Sequence, residues 1–81
     1  MKRIFLLEDD AALNRGITMA LTGSDRAVTQ AVSFTEAREM LAAAQFDLYI
    51  LDINLPDGSG LELLRLMRQN GDQTPVILLT A

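Results

Sequence analysis

The 81-residue sequence contains no cysteine and no histidine. Without cysteine there is neither a disulfide framework nor a thiolate metal site. Without histidine there is no imidazole base, nucleophile or ligand. Any metal this chain holds is therefore held by oxygen, which favours Mg²⁺, Mn²⁺ or Ca²⁺ over Zn²⁺. Basic residues are scarce as well: seven Lys and Arg stand against eleven Asp and Glu, for a formal charge of −4. Phosphate contact needs a basic face, so nucleic-acid binding by this segment is disfavoured. No apolar run approaches ~20 residues, so no membrane-spanning helix is expected. The N-terminus lacks a signal-peptide cleavage pattern, which makes the cytoplasm the default location.

Apolar residues are plentiful, at 49% of the chain, and this excludes a disordered acidic tail. The length suits one domain and is too short for two. A chain of this size buries only about 60–65% of its unfolded surface, so its stability is expected to be marginal.

Apolar patterning places the elements. Arg3 to Leu7 is a continuous apolar strand, as expected where both faces of a sheet are covered. Asp9 or Asp10 can cap a helix carrying Leu13, Ile17, Ala20 and Leu21 on one face, ended by Gly23-Ser24. Ala27 to Val32 reads as a weaker strand. Ser33-Phe34-Thr35-Glu36 fits a capping box, and the helix behind it runs to about Ala44. Leu48 to Leu51 is the third strand. Pro56-Asp57-Gly58 is turn chemistry. A third helix starts near Ser59 or Gly60, carries Leu61, Leu64 and Met67, and stops at Asn70-Gly71. Pro75 introduces a last strand, Val76 to Leu79. Strands alternating with helices in the order βαβαβαβ predict an α/β fold with a parallel sheet.

Two of these strands end in acid. Glu8-Asp9-Asp10 follows the first, and Asp52 follows the third. Open α/β sheets place their ligands at such strand ends. Crowded carboxylates raise one another's pKa or recruit a cation, so a divalent-metal site built around Asp52 is the economical reading. Plain readings exist for each residue. An acid after the first strand can simply cap a helix. Asp52 and Asn54 can be loop formers, and Thr80 can be an ordinary β-branched strand residue. Gly58-Ser59-Gly60 lacks the further glycine of a dinucleotide fingerprint and reads as a turn and helix start.

Jointly the motifs are more specific. F-L-L-E-D-D at the start, L-Y-I-L-D-I-N-L-P-D-G-S-G in the middle and P-V-I-L-L-T-A at the end resemble the receiver domain of two-component response regulators. The middle segment looks most like the transcription-factor branch with a winged-helix output domain. The resemblance implies a flavodoxin-like fold and a Mg²⁺-dependent, phospho-accepting role, without enzyme activity of its own in the ordinary sense. Asp52 would be the phospho-acceptor. Asp9 and Asp52 would bind Mg²⁺ directly with the backbone carbonyl of Asn54, and Glu8 through water. Thr80 would contact the phosphoryl group and act as the switch. A sensor histidine kinase would be the phosphodonor, and DNA would be reached only through an output domain absent from these residues.

Set against that family, residues 1–81 correspond to four strands and three helices of a five-stranded domain, a partial receiver lacking helix 4, strand 5 and helix 5. The family's late lysine has no counterpart, since the only lysine is Lys2. Slow phosphorylation is therefore expected. Apolar side chains around Phe5, Leu7 and Ile50 or Leu51 are expected to lie bare. With the edge of the last strand, they point to a homodimer or higher oligomer. The competing readings are a hydrolase or transferase forming an aspartyl-phosphate, and an engineered structural fragment without activity. The first is disfavoured because Asp52-Ile53-Asn54 offers no second Asp as acid/base.

Overall fold

Strands and helices alternate throughout the computed structural model, which describes residues 1–80. In chain order they are β1 (Lys2–Leu7), α1 (Ala11–Leu21), β2 (Arg26–Ala31), α2 (Phe34–Ala43), β3 (Leu48–Asp52), α3 (Gly60–Gln69) and β4 (Val76–Leu79). The strands form one parallel sheet in the order β2-β1-β3-β4. From β1 the chain first steps outward to β2, then returns past β1 to β3. The sheet therefore changes direction between β1 and β3. At such a switch point a crevice opens beyond the carboxyl ends of the strands.

The two sheet faces divide the apolar residues. Phe5 and Leu7 of β1 and Tyr49 and Leu51 of β3 meet Phe34 and Ala37 of α2 and Leu63 and Met67 of α3. Phe5, Phe46 and Tyr49 pack with ring centroids 5.2, 5.6 and 5.7 Å apart, in tilted or edge-on geometries that aromatic rings prefer. On the opposite face, Ile4, Leu6 and Ile50 meet Ile17 and Leu21 of α1. Both faces of β1 and β3 are covered, which is why those strands are apolar without alternation.

The expectation that Phe5, Leu7 and Ile50 or Leu51 lie bare is overturned: all four are buried. Phe5, Leu7 and Leu51 face α2 and α3, and α1 shields Ile50. Ile77 of β4, further out in the sheet, is among the exposed apolar side chains, at 49%. The apolar stripe expected for α3 also shifts. Leu61 is exposed, and Gly60, Leu63 and Met67 form the buried face. A Cβ on Gly60 would collide with the backbone carbonyl of Asp52 and the Leu51 side chain. Glycine here lets the start of α3 press against the end of β3, and that contact sets the rotation of the helix. In α1, Leu13 is exposed and Ala20 lies outside the core, while Asn14 is buried.

Capping follows the sequence closely. Asp10 accepts a hydrogen bond from the Leu13 N–H, and Ser33 from the Glu36 N–H. Each such cap is worth about 1 kcal/mol. At the end of α3, Gly71 has φ of 80°. Its N–H donates to Arg68 O, and the Asp72 N–H donates to Met67 O. This paired pattern closes the helix through a left-handed residue.

Candidate functional site

The register of the sheet brings the acids together. Leu7 pairs with Leu51, so the next residues, Glu8 and Asp52, emerge side by side at the switch point. Asp52 pairs with Leu79, which delivers Thr80 to the same end of the sheet. One carboxylate oxygen from each of Glu8, Asp9 and Asp52 lies within 4.8 Å of the others. Glu8 and Asp52 are buried and Asp9 is exposed. Glu8, Asp9, Asp52, Asn54 and Thr80 all line one cleft of about 410 Å³. The sequence left open which acid caps α1. Asp10 does so, and this leaves Asp9 free for the cleft.

The cluster is held by local bonds. Glu8 Oε2 accepts from the Asp10 N–H at 2.9 Å. Asp52 Oδ1 accepts from the Asn54 N–H at 2.9 Å, which ties the loop after β3 back to its last residue. Burial raises the pKa of Glu8; the Asp10 N–H pulls it the other way, and the charge of Asp52 raises it further. Among the described residues no Lys or Arg side chain forms an ion pair with these acids; the only ion pair joins Arg26 to Asp25 at 3.8 Å, away from the cleft. Clustered oxygen donors with uncompensated negative charge are what a hard divalent cation requires.

One residue behind the cluster escaped the sequence reading. Asn14 donates through Nδ2 to Glu8 O at 2.9 Å and to Ala31 O at 3.2 Å. Its Oδ1 accepts from Gln30 Nε2 at 2.6 Å and from the Thr18 hydroxyl at 3.4 Å. It ties α1 to the ends of β1 and β2 just where Glu8 leaves the sheet. A polar residue amid the apolar positions of a helix is the available signal, but it does not name the partners.

The profile of the response regulator receiver domain matches residues 4–81. The chain belongs to this family. It is similar to the transcriptional regulatory protein PmrA of Pectobacterium parmentieri, at 39% identity over 79 residues, and to the response regulator protein PmrA of Pseudomonas aeruginosa, at 44% over 79 residues. Each alignment covers 98% of this chain and 36% of the relative, so the receiver described here spans 36% of the length of both proteins. It also superposes on a structure of the histidine kinase ThkA in complex with the response regulator TrrA. The TM-score is 0.89 at 32% identity, covering 100% of this chain and 70% of the other. The fold is the flavodoxin-like receiver fold, and the family is one of signalling domains rather than classical enzymes. Among the described residues no helix is long and apolar enough to cross a membrane.

Proposed function

We propose that this receiver accepts a phosphoryl group on Asp52 from a sensor histidine kinase, with Mg²⁺ held by Glu8, Asp9 and Asp52 and by the Asn54 carbonyl. The observation that carries the reading is the convergence of three carboxylates within 4.8 Å around the end of β3. In the transfer, a carboxylate oxygen of Asp52 forms a bond to phosphorus as the phosphorus–nitrogen bond of the donor phosphohistidine breaks, and the nitrogen keeps the electron pair. Bound Mg²⁺ supplies charge neutralisation for the phosphoryl oxygens and the carboxylates. The chain's own residues do the positioning. Asn54 orients Asp52 through its N–H. Asn14 fixes the backbone at Glu8. Thr80, at the rim of the cleft, has the hydroxyl to contact the incoming group.

The 70% coverage of the other structure's chain supports reading residues 1–81 as the first four strands of a larger receiver. Similarity to a transcriptional regulator supports DNA as a target reached through a separate output domain. Lys2, the only lysine of residues 1–81, starts β1 at the end of the sheet opposite the cleft, so these residues bring no lysine to the transfer. Phosphorylation of the 81-residue chain by small donors should therefore be slow. The half-exposed Ile77 on β4 supports self-association of the chain.

Incubation with a phosphorylated histidine kinase or acetyl phosphate, with and without Mg²⁺, tests the reading by mass spectrometry. A Mg²⁺-dependent phosphoryl adduct that maps to Asp52 and vanishes in Asp52→Asn is expected. An adduct persisting in Asp52→Asn, or none with any donor, would refute it.

A further inference from the structure

Asp57 lies outside the acidic cleft, at the tip of the loop between β3 and α3. Sequence chemistry assigns it to a turn, and the turn exists: Leu55 and Gly58 exchange backbone bonds at 3.2 and 3.4 Å, closing a two-residue hairpin with Pro56 and Asp57 at its tip. Its carboxylate, however, reaches out of the turn. Oδ1 accepts from the Phe34 N–H at 2.9 Å, and Oδ2 accepts from the Thr35 N–H at 3.1 Å and the Thr35 hydroxyl at 3.0 Å. These partners are the first turn of α2, which already has Ser33 as its own cap for the Glu36 N–H. A carboxylate from another element thus takes two further N–H groups of that turn, joining the loop to the start of α2.

Beside it the hairpin is seated closely. A Cβ on Gly58 would lie 2.6 Å from Cγ of Phe34, so the glycine backbone rests on that ring. The hairpin is thus pinned to α2 by three hydrogen bonds from Asp57 and one apolar contact. Asn54 immediately precedes the hairpin. It is exposed and is held from the strand side by the bond from its N–H to Asp52. Its position therefore depends on both ends of the loop, the Asp52 carboxylate on one side and the docked hairpin on the other.

We infer that Asp57 is a positioning residue for the acidic cleft, anchoring the Leu55–Gly58 hairpin to α2 and thereby setting where Asn54 stands relative to Asp52. It touches no cleft residue and acts only through the loop. Its link to metal binding rests on the proposed Mg²⁺ site, whereas its link to the geometry of Asn54 does not.

The test uses the whole chain and the variants Asp57→Ala, Asp57→Asn, Thr35→Val and Asp52→Asn. Amide hydrogen exchange is followed by NMR without metal, and Mg²⁺ affinity by calorimetric titration well below each variant's melting temperature. In Asp57→Ala the Asn54 amide should exchange roughly tenfold faster, as expected for loss of a hydrogen-bonded anchor, while core amides such as that of Leu6 keep their protection. Mg²⁺ should bind about tenfold more weakly, the lower end of the range for residues that orient metal ligands. Asp57→Asn, which keeps an acceptor oxygen for the Phe34 N–H, should restore part of both effects. Thr35→Val, which removes only the hydroxyl donor, should shift both in the same direction by a smaller factor and still fold if Asp57→Ala does not. Unchanged Asn54 exchange and Mg²⁺ affinity in a folded Asp57 variant with a lowered melting temperature would reduce Asp57 to a helix cap and overturn the inference. Should the wild-type chain bind no Mg²⁺ in an Asp52-dependent way, the proposed function fails, and the metal-free exchange of Asn54 alone decides the role of Asp57.

Discussion

Asn14 is the one buried residue of α1, and its amide meets two carbonyls that end strands. Removing it in Asn14→Ala leaves the buried carbonyl of Glu8 without that donor, at a cost of roughly 1–3 kcal/mol. Urea denaturation should show this as a lower midpoint with an unchanged slope. Titration behaviour is decided at the same scale. The N–H groups of Phe34 and then Thr35 hold the Asp57 carboxyl below its usual 3.8, and bonds from the Thr74 hydroxyl and N–H do the same for Asp72. For such depressed acids the stabilising contribution is complete above the unfolded pKa and disappears as the pH falls through the folded value. Stability should therefore drop below about pH 3.8, and Asp57→Asn should flatten that acid limb. Glu8 runs the opposite way. Its folded pKa is raised above 4.5, chiefly by burial, so the folded state holds the proton more tightly than the unfolded chain. Stability then declines as the pH rises from 4.5 through the raised value. In metal-free buffer Glu8→Gln, which keeps an oxygen for the Asp10 N–H, should remove that decline when denaturation midpoints are compared across pH.

Element boundaries here are set by single side chains. Ser33 and Asp10 start helices through side-chain acceptors, and Gly71 ends one in the left-handed region. A Cβ at Gly71 meets nothing within 4 Å, so substitution there probes backbone strain alone. Gly71→Ala should destabilise by about 1–2 kcal/mol, the cost of placing an L side chain in that conformation, and should leave the core amides unperturbed in NMR spectra. Gly60→Ala should behave differently, because its Cβ would meet the end of β3. That clash displaces α3 from the sheet, and spectra should change around Leu51 and Asp52. The two glycines look alike in the sequence. One needs a φ that L residues avoid, and the other needs space.

At the scale of the molecule, β4 forms an outer edge of the sheet, and Ile77 stands half exposed on it. Edges of this kind pair with other chains unless a charge or cover blunts them. The net charge of −4 opposes this weakly, since screening acts beyond about 8–10 Å at physiological salt. Light scattering should find the chain associating at high micromolar concentration, with Ile77→Lys shifting it toward monomer. A wild-type chain that stays monomeric across that range would show that the edge is tolerated in solution.

The order of strands and helices, the cap at Ser33, the stop at Gly71 and the placing of Glu8, Asp9 and Asp52 at neighbouring strand ends were legible in the sequence. Each depends on local chemistry: apolar runs, capping geometry, turn residues, and acids placed where strands end. The sequence could not say that Asp10 caps while Asp9 turns to the cleft, because both are equivalent neighbours until the path of α1 is known. Nor could it reveal that Leu63 rather than Leu61 faces the core, since the rotation of α3 is set by the contact of Gly60 with β3. Asn14 bonds to Ala31, and Asp57 to Phe34, across 17 and 23 positions of chain. Their roles exist only once the parallel sheet has brought α1 beside β2 and the loop after β3 against α2. Local sequence determined which groups this protein has to work with. Strand register and helix packing decided which of them meet, because bonds between distant residues are set by the fold and leave no periodic mark in the chain.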